Sequence, residues 1–194
     1  MNKIRRILVV IDLDNGNSSD GGELPIELSK ATRLVTDKSS IELHLFSVAY
    51  QKHLHHDSLS WDFDQGERRQ EYCDLLAKNL DQLATKLKSE GYQVSSESIW
   101  AYPRYEAIIN KAKEISADLI VQHTRSYGKL EFHHLTNDSW QMVRYCPVPL
   151  LLVKNSPWSD KPALLAAVDP MHSHHKPLAL DNRIPEAALT LQER

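Results

Sequence analysis

The sequence predicts an α/β domain built on a five-stranded parallel sheet with helices on both faces. Short apolar runs rich in β-branched residues alternate with longer segments whose apolar residues recur at helical spacing, which is typical of repeated strand–helix–strand units. Hydrophobic residues make up 41% of the 194 residues and charged residues 25%, a balance typical of a soluble globular protein. A core of this size needs neither disulfides nor a structural metal.

Five segments are predicted to be strands because each is short, apolar and enriched in branched side chains. In chain order they cover residues 7–11, 41–48, 94–100, 118–121 and 148–153. The first run follows a basic N-terminus, but it ends at Asp12 without a small-residue cleavage site. A buried strand is therefore favoured over a signal peptide. No apolar run approaches the roughly 20 residues that cross a bilayer.

Four helices are predicted between the strands, from apolar residues that recur at three- and four-residue intervals. They cover about residues 24–38, 67–90, 103–115 and 137–144. Pro25 suits the start of the first helix, where a missing N–H costs little, and Gly91 is placed to end the second helix as its C′ residue. One face of the second helix is expected to be apolar through Tyr72, Leu75, Leu76, Leu80, Leu83 and Leu87.

Residues 155–194 resemble the beginning of a second copy of the same unit. A linker with two prolines, residues 155–162, precedes an apolar run at 163–169 that ends in aspartate, as the first strand does. Helical spacing then predicts a helix over 181–192. We expect a truncated product of a tandem-domain protein. Its units are a domain at 1–154, a linker at 155–162, and the strand and helix that start a second domain at 163–194.

Charge and cysteine content argue against several further classes of function. The formal net charge of −3 gives no electrostatic case for nucleic-acid binding. Cys73 and Cys146 fit no metal or disulfide spacing, so a reducing cytosol is the expected setting. Neither cysteine is flanked by the lysine or histidine residues that depress a thiol pKa, and no G-x-S-x-G nucleophile motif occurs. The sequence therefore predicts no catalytic residues.

Ten histidines raise the possibility of a metal site, because imidazole is a common ligand. They concentrate in residues 53–56, 133–134 and 172–175. None pairs with another histidine at helical spacing around a glutamate, and none lies beside a cysteine pair. Solvated loop histidines are the favoured interpretation, with adventitious zinc binding by the last cluster as the alternative, and no metal site is predicted.

Three segments within residues 1–154 resemble the universal stress protein family. They are the opening strand that ends in Asp12, residues 117–121 (ADLIV), and residues 144–154 (RYCPVPLLLVK). The last segment is similar to the family's terminal R-x-C-P-x-P-V-L-x-V strand and is the most discriminating. Residues 105–109 and 136–140 are typical of the first domain of the family's tandem E group.

The resemblance implies a flavodoxin-like fold of the adenine nucleotide alpha hydrolase-like type, with strand order 3-2-1-4-5. It also implies a cytoplasmic, stress-induced protein linked to survival of DNA damage. Family members usually pair through the last strand, and exposed apolar edges associate. We therefore expect a homodimer formed through Val148, Leu150 and Leu152.

Nucleotide-binding members of the family carry the motif G-x2-G-x9-G-[ST] after the fourth strand. Its glycines let backbone N–H groups approach the phosphates, and a helix N-terminus adds a positive dipole. Aligned with this sequence, the glycine positions are His123, Ser126 and Thr136, and the hydroxyl position is Asn137. All three glycines are replaced, and Gly128 does not restore the motif because it is displaced by two residues.

Asp12 occupies the position that contacts adenine in the family, although an aspartate at a strand end more often caps the following loop. Asn137 and Ser139 are alternative phosphate donors, but helix N-capping already explains both. The sequence therefore predicts a degenerate nucleotide site and no bound cofactor. Its candidate residues are Asp12, Ser126, Thr136, Asn137 and Ser139.

Two functions follow from these observations. The favoured one is a non-enzymatic stress-response protein that acts through protein contacts or an unidentified ligand. The alternative is an ATP-binding or weakly ATP-hydrolysing protein that uses Asp12 and residues 123–137. The replaced glycines favour the first.

Overall fold

The computed structural model describes residues 4–13, 24–50, 64–124, 137–159, 163–168 and 179–192. Its centre is a sheet of five strands, β1 (Arg6–Val10), β2 (Glu42–Ala49), β3 (Gln93–Trp100), β4 (Leu119–His123) and β5 (Leu150–Val153). The order is β3-β2-β1-β4-β5, and every neighbouring pair is parallel. The predicted fold class and the strand order 3-2-1-4-5 are confirmed.

The helices are α1 (Ile26–Arg33), α2 (Asp64–Ser89), α3 (Arg104–Glu114), α4 (Asn137–Tyr145) and α5 (Leu180–Gln192). Among them, α1 is shorter than the predicted residues 24–38. Beyond its end, the Asp37 carboxylate accepts the backbone N–H of Ser39 at 2.9 Å, and such local side-chain bonds compete with helical ones. The spacing of apolar residues continues past this point, which is why the sequence predicted a longer helix.

α2 ends as the sequence predicts, at Gly91, which has φ of +89°. The N–H of Tyr92 donates to the Leu87 carbonyl at 3.1 Å, and the N–H of Gly91 donates to the Lys88 carbonyl at 3.0 Å. This is the Schellman pattern, which satisfies carbonyls at the helix end. Glycine suits this position because it adopts positive φ without steric cost.

The buried face of α2 was predicted wrongly at one position. Leu76 and Leu80 are buried, whereas Leu75 is 53% exposed. The buried leucines of α2 repeat at three- and four-residue intervals, but Leu75 lies one helical step, about 100°, from Leu76. It therefore points away from the sheet.

The two faces of the sheet carry separate cores, with α1 and α2 over one face and α3 and α4 over the other. Alternate residues of β1 enter opposite cores, because successive strand side chains point to opposite faces. On the α1–α2 face the buried residues include Ile7, Val9, Leu28, Leu43, Leu45, Leu80 and Leu87. On the other face they include Leu8, Val10, Phe46, Ile108, Ile120 and Met142.

The first part of the predicted linker packs against α1. Lys30 donates from Nζ to the Ser156 carbonyl at 2.7 Å, and its ammonium lies 4.6 Å from the centre of the Trp158 ring. Arg33 donates to the Trp158 carbonyl at 3.2 Å. Trp158 also packs against the α1–α2 core. The contacts of the domain therefore continue beyond Lys154.

The strand predicted at 163–169 is not formed in its described part. Residues 163–168 belong to no ladder and are exposed, with Leu165 at 96%. A strand needs a neighbouring strand to satisfy its backbone groups, and within the described chain none lies beside this run. The predicted helix over 181–192 does form, as α5. The predicted domain boundaries remain a prediction.

Candidate functional site at the carboxyl edge of the sheet

The carboxyl ends of β1 and β4 lie side by side at the centre of the sheet. Val10 is in register with Phe46 of β2 and with Gln122 of β4, so Asp12 follows β1 at the edge where β4 also ends. The strand order places the topological switch between β1 and β4. Ligands of doubly wound folds bind at such a switch, outside the carboxyl ends of the strands.

Arg104 pairs with Asp12 at this edge. Arg104 Nη1 donates to Asp12 Oδ2 at 3.3 Å, and the two side chains are only 19% and 20% exposed. The backbone N–H of Asp12 donates to Glu27 Oε1 at 3.4 Å, and Glu27 is buried in the first turn of α1. The carboxylate of Asp12, to which the family resemblance assigns a contact with adenine, is therefore paired with an arginine.

Sequence reasoning missed Arg104 because it lies 92 positions from Asp12. It is the first residue of α3 and follows Pro103, the N-cap of that helix. Its position shortly after the third strand could have indicated the contact. The carboxyl ends of parallel strands lie at one edge of the sheet, so residues that follow different strands can meet there. A cation at that place is a candidate partner for any carboxylate that follows β1.

Thr124 and Ser139 are both buried near the ends of the elements that frame the predicted phosphate loop. Thr124 donates to the Val153 carbonyl from its backbone N–H at 2.8 Å and from Oγ1 at 3.2 Å, so it joins the end of β4 to β5. Ser139, a predicted phosphate donor, is 1% exposed in the first turn of α4. Burial at this position fits a structural role at the start of the helix.

The other predicted site residues are only partly described. His123 is the last residue of β4, in register with Val153. Asn137 is the first residue of α4, and its side chain lies outside the described part of the structure. Ser126 and Thr136 also lie outside it. Their participation in a nucleotide site therefore remains a prediction.

An aromatic group that the sequence did not indicate lies at the same edge, beyond β2 and β3. The rings of Tyr50 and Tyr102 stack with centroids 4.6 Å apart. The Trp100 ring lies 6.3 Å from Tyr50 and 6.5 Å from Tyr72, and the Arg69 guanidinium lies 5.5 Å from the Trp100 ring. Through the contacts with Tyr72 and Arg69, the end of β3 packs against α2. Single aromatic residues at strand ends carry no spacing signal, which is why sequence reasoning did not find them.

The thiols offer no activated nucleophile. Burial raises the pKa of Cys73, and the neighbouring Asp74 raises it further. Burial also raises the pKa of Cys146, whose Sγ lies 3.3 Å from the Val148 carbonyl. A raised pKa keeps a thiol protonated at neutral pH, and the thiolate is the reactive form.

Within the described ranges, no group of three or more His, Cys, Asp or Glu side chains is arranged to hold a metal ion. The histidines of 53–56, 133–134 and 172–175 lie outside those ranges. No described helix combines the length and apolar character that crossing a membrane requires.

Comparison with known proteins places these observations in a family. Residues 3–154 match the universal stress protein family. The universal stress protein E homolog of Haemophilus influenzae is 22% identical over 194 residues, which cover 98% of this chain and 60% of that protein. This chain thus spans about three fifths of the length of that relative.

Solved structures give the same fold. A putative universal stress protein from Pseudomonas aeruginosa superimposes with a TM-score of 0.62 at 23% identity, covering 97% of this chain and 57% of that one. The universal stress protein UspA from Lactobacillus plantarum gives a TM-score of 0.56 at 16% identity, covering 78% of this chain and 98% of that one. At such identities the similarity establishes the fold alone.

Proposed function

This chain belongs to the universal stress protein family, and we propose that it is a cytoplasmic, non-enzymatic stress protein with a degenerate nucleotide site. Membership of the family supports a role in the stress response. We further propose that the protein contributes to resistance against DNA-damaging agents. That part rests on the resemblance of residues 105–109 and 136–140 to the tandem E group.

The contact between Asp12 and Arg104 is the observation that carries the proposal. A guanidinium gives a carboxylate the attraction of opposite charges in addition to a hydrogen bond. Adenine offers only neutral donors, so binding at Asp12 would exchange a stronger partner for a weaker one in a half-buried site. The carboxylate is therefore a poor adenine receptor while Arg104 holds it at 3.3 Å.

The replaced glycines support the same conclusion at the phosphate end. A phosphate nest needs consecutive backbone N–H groups that converge on the anion, and glycine permits the close approach and positive φ that this requires. Here side chains stand at His123, Ser126 and Thr136. Both ends of the family's nucleotide site are thus altered, together with the hydroxyl position, Asn137.

The alternative, an ATP-binding or weakly hydrolysing protein, is favoured by one observation. Asp12 retains its place after β1, at the topological switch where ligands of this fold bind. This alternative requires that Arg104 release Asp12 or turn toward the triphosphate. It therefore predicts that nucleotide binding depends on both residues.

Survival after DNA damage tests the proposed function. In a strain lacking the gene, the wild-type chain is expected to restore colony counts after ultraviolet irradiation. Asp12→Asn is expected to restore them equally, because the proposed function does not use Asp12 to hold a nucleotide. Circular dichroism of the purified variant confirms that it is folded. Failure of the wild-type chain contradicts the role in damage resistance, whereas loss of rescue in a folded Asp12→Asn protein favours the ATP-dependent alternative.

We also propose a homodimer formed through β5. This strand ends the sheet and pairs with β4 on one side, with Leu150 opposite Ile120 and Leu152 opposite Gln122. Val148 immediately precedes it. Leu150 and Leu152 are half-buried, and among the described residues no strand pairs with the other side of β5, so an apolar edge lies at this end of the sheet. Such edges associate with other chains.

Light scattering tests the dimer. The wild-type protein is expected to have twice the mass of one chain, which is 22.2 kDa. Leu152→Lys is expected to shift the population toward monomers, because it places a charge at the proposed interface. Leu165→Lys serves as the matched control, since Leu165 is 96% exposed outside the sheet. A wild-type protein that stays monomeric at high concentration contradicts the proposal.

A further inference from the structure

We propose that the outer edge of β3 binds an extended basic peptide segment of a partner protein by strand addition, with its side chains entering acidic grooves on both faces of the sheet. This inference goes beyond the proposed function and is independent of whether nucleotide binds. It rests on three features of the described residues: an open edge strand, a groove on each side of it, and an excess of carboxylates in each groove.

The first feature is the length of the open edge. β3 pairs with β2 over eight residues, from Gln93 opposite Glu42 to Trp100 opposite Ala49. Within the described residues, no strand pairs with its other side. β5, at the opposite end of the sheet, has only four residues. An eight-residue edge offers a row of backbone donors and acceptors long enough for a peptide strand, which typically has about five or six residues.

The second feature is a groove between β3 and α3, on one face of the sheet. It has a volume of about 420 Å³, and its lining includes Ile99, Glu97, Glu106, Lys111 and Glu114. Lys111 is the cation of this set, and its Nζ lies 2.8 Å from Glu97 and 2.8 Å from Glu114. Glu106 is exposed. Three carboxylates facing one ammonium leave this groove with an excess of negative charge.

The third feature is a second, shallow groove on the opposite face, whose lining residues all belong to α2. It has a volume of about 560 Å³ and is lined by Asp74, Lys78 and Asp81 together with Ala77, Gln82 and Thr85. Ser96 of β3 donates to Asp81 Oδ1 at 2.6 Å, which links this groove to the strand. Because Ser96 and Glu97 are successive residues of one strand, they point to opposite faces. The two grooves therefore flank the same edge.

The geometry of an added strand determines which side chains of a bound peptide enter each groove. Side chains of an added strand alternate between the two faces, so successive residues of a bound peptide enter the α3 groove and the α2 groove in turn. Both grooves carry an excess of carboxylates, which selects lysine or arginine among the incoming side chains. Main-chain hydrogen bonds supply affinity and the grooves supply specificity, as in other cases of strand addition.

Protection of the edge against aggregation is the competing explanation for its charges. Charged side chains, especially lysine, and proline are among the devices that blunt natural edge strands, but β3 reads QVSSESIW and contains neither lysine nor proline. Its one charged residue, Glu97, is held by Lys111 at 2.8 Å beside the groove. The charges thus lie in the grooves that flank the strand, where a ligand's side chains enter.

Fluorescence anisotropy with a labelled peptide tests the proposal. The probe is an eight-residue peptide in which pairs of lysines alternate with pairs of threonines (KKTTKKTT), so that lysines lie on both faces of the added strand; it is titrated with the 194-residue chain at low ionic strength. It is expected to bind, whereas an otherwise identical peptide methylated on alternate backbone amides is expected to bind at least about tenfold more weakly. Both peptides carry the same charge, so the comparison isolates the backbone hydrogen bonds of strand addition.

Variants of the chain test the acidic grooves. Glu106→Lys and Asp74→Lys, at exposed positions in the α3 and α2 grooves, are each expected to weaken binding by about tenfold, equivalent to about 1.4 kcal/mol. Glu186→Lys in α5 makes the same change of net charge outside the grooves and is expected to leave the affinity unchanged. Hydrogen exchange is expected to slow at the β3 amides when the basic peptide is added.

Each outcome decides part of the proposal. Absence of binding by the basic peptide overturns it. Equal binding of the methylated peptide, or unchanged exchange in β3, overturns strand addition in favour of surface ion pairing. Equal weakening by Glu186→Lys and the two groove variants overturns the assignment of the grooves. None of these results depends on ATP binding or on survival after DNA damage.

Discussion

Replacing Leu80 by alanine is expected to lower the free energy of unfolding by about 3 kcal/mol. Leu80 is fully buried in α2 and belongs to the core on the α1–α2 face of the sheet. Removing its branched side chain loses the free energy of burial and leaves a cavity that a close-packed core fills only partly. The change is measured by urea unfolding followed by circular dichroism.

Leu75→Ala is the matched control, since it is the same substitution in the same helix. Leu75 is 53% exposed, so its replacement is expected to change the free energy of unfolding by less than about 0.5 kcal/mol. Equal destabilisation by the two substitutions contradicts the orientation of α2. Equal effects would instead match the face that sequence spacing predicted, because that face includes both leucines.

The fold was predictable because its signals are local and repeated. Each strand is a short apolar run, and each helix shows regular spacing, so the order of elements follows directly from the chain. The errors arose where an apolar residue or run, which predicts burial or a strand, is exposed in the structure. Leu75 belongs to an apolar cluster but faces outward, and residues 163–168 are apolar enough for a strand but have no strand beside them within the described chain.

The candidate site was less predictable because its contacts join distant parts of the chain. The position of Asp12 after β1 could be predicted, since a strand end is visible in the sequence. Its partner Arg104 could not, because the two residues meet only when the sheet brings the ends of β1 and β3 to one edge. The docking of Trp158 on Lys30, which joins residues even farther apart along the chain, was missed for the same reason.

ATP binding is expected to be absent or weaker than a dissociation constant of about 1 mM, equivalent to about −4.1 kcal/mol. This expectation rests on two features of the proposed site: Arg104 lies 3.3 Å from the Asp12 carboxylate at its adenine end, and side chains stand at the three positions aligned with the family's glycines. A typical nucleotide site holds its ligand more tightly, so losses at both ends are expected to have a large combined effect.

Calorimetric titration of the 194-residue chain with ATP and magnesium tests this central claim most directly. We predict no saturable heat for the wild-type protein, and none for Asp12→Ala or Arg104→Ala. Saturable binding at micromolar ATP that Asp12→Ala abolishes, in a variant whose circular dichroism matches the wild type, would contradict it.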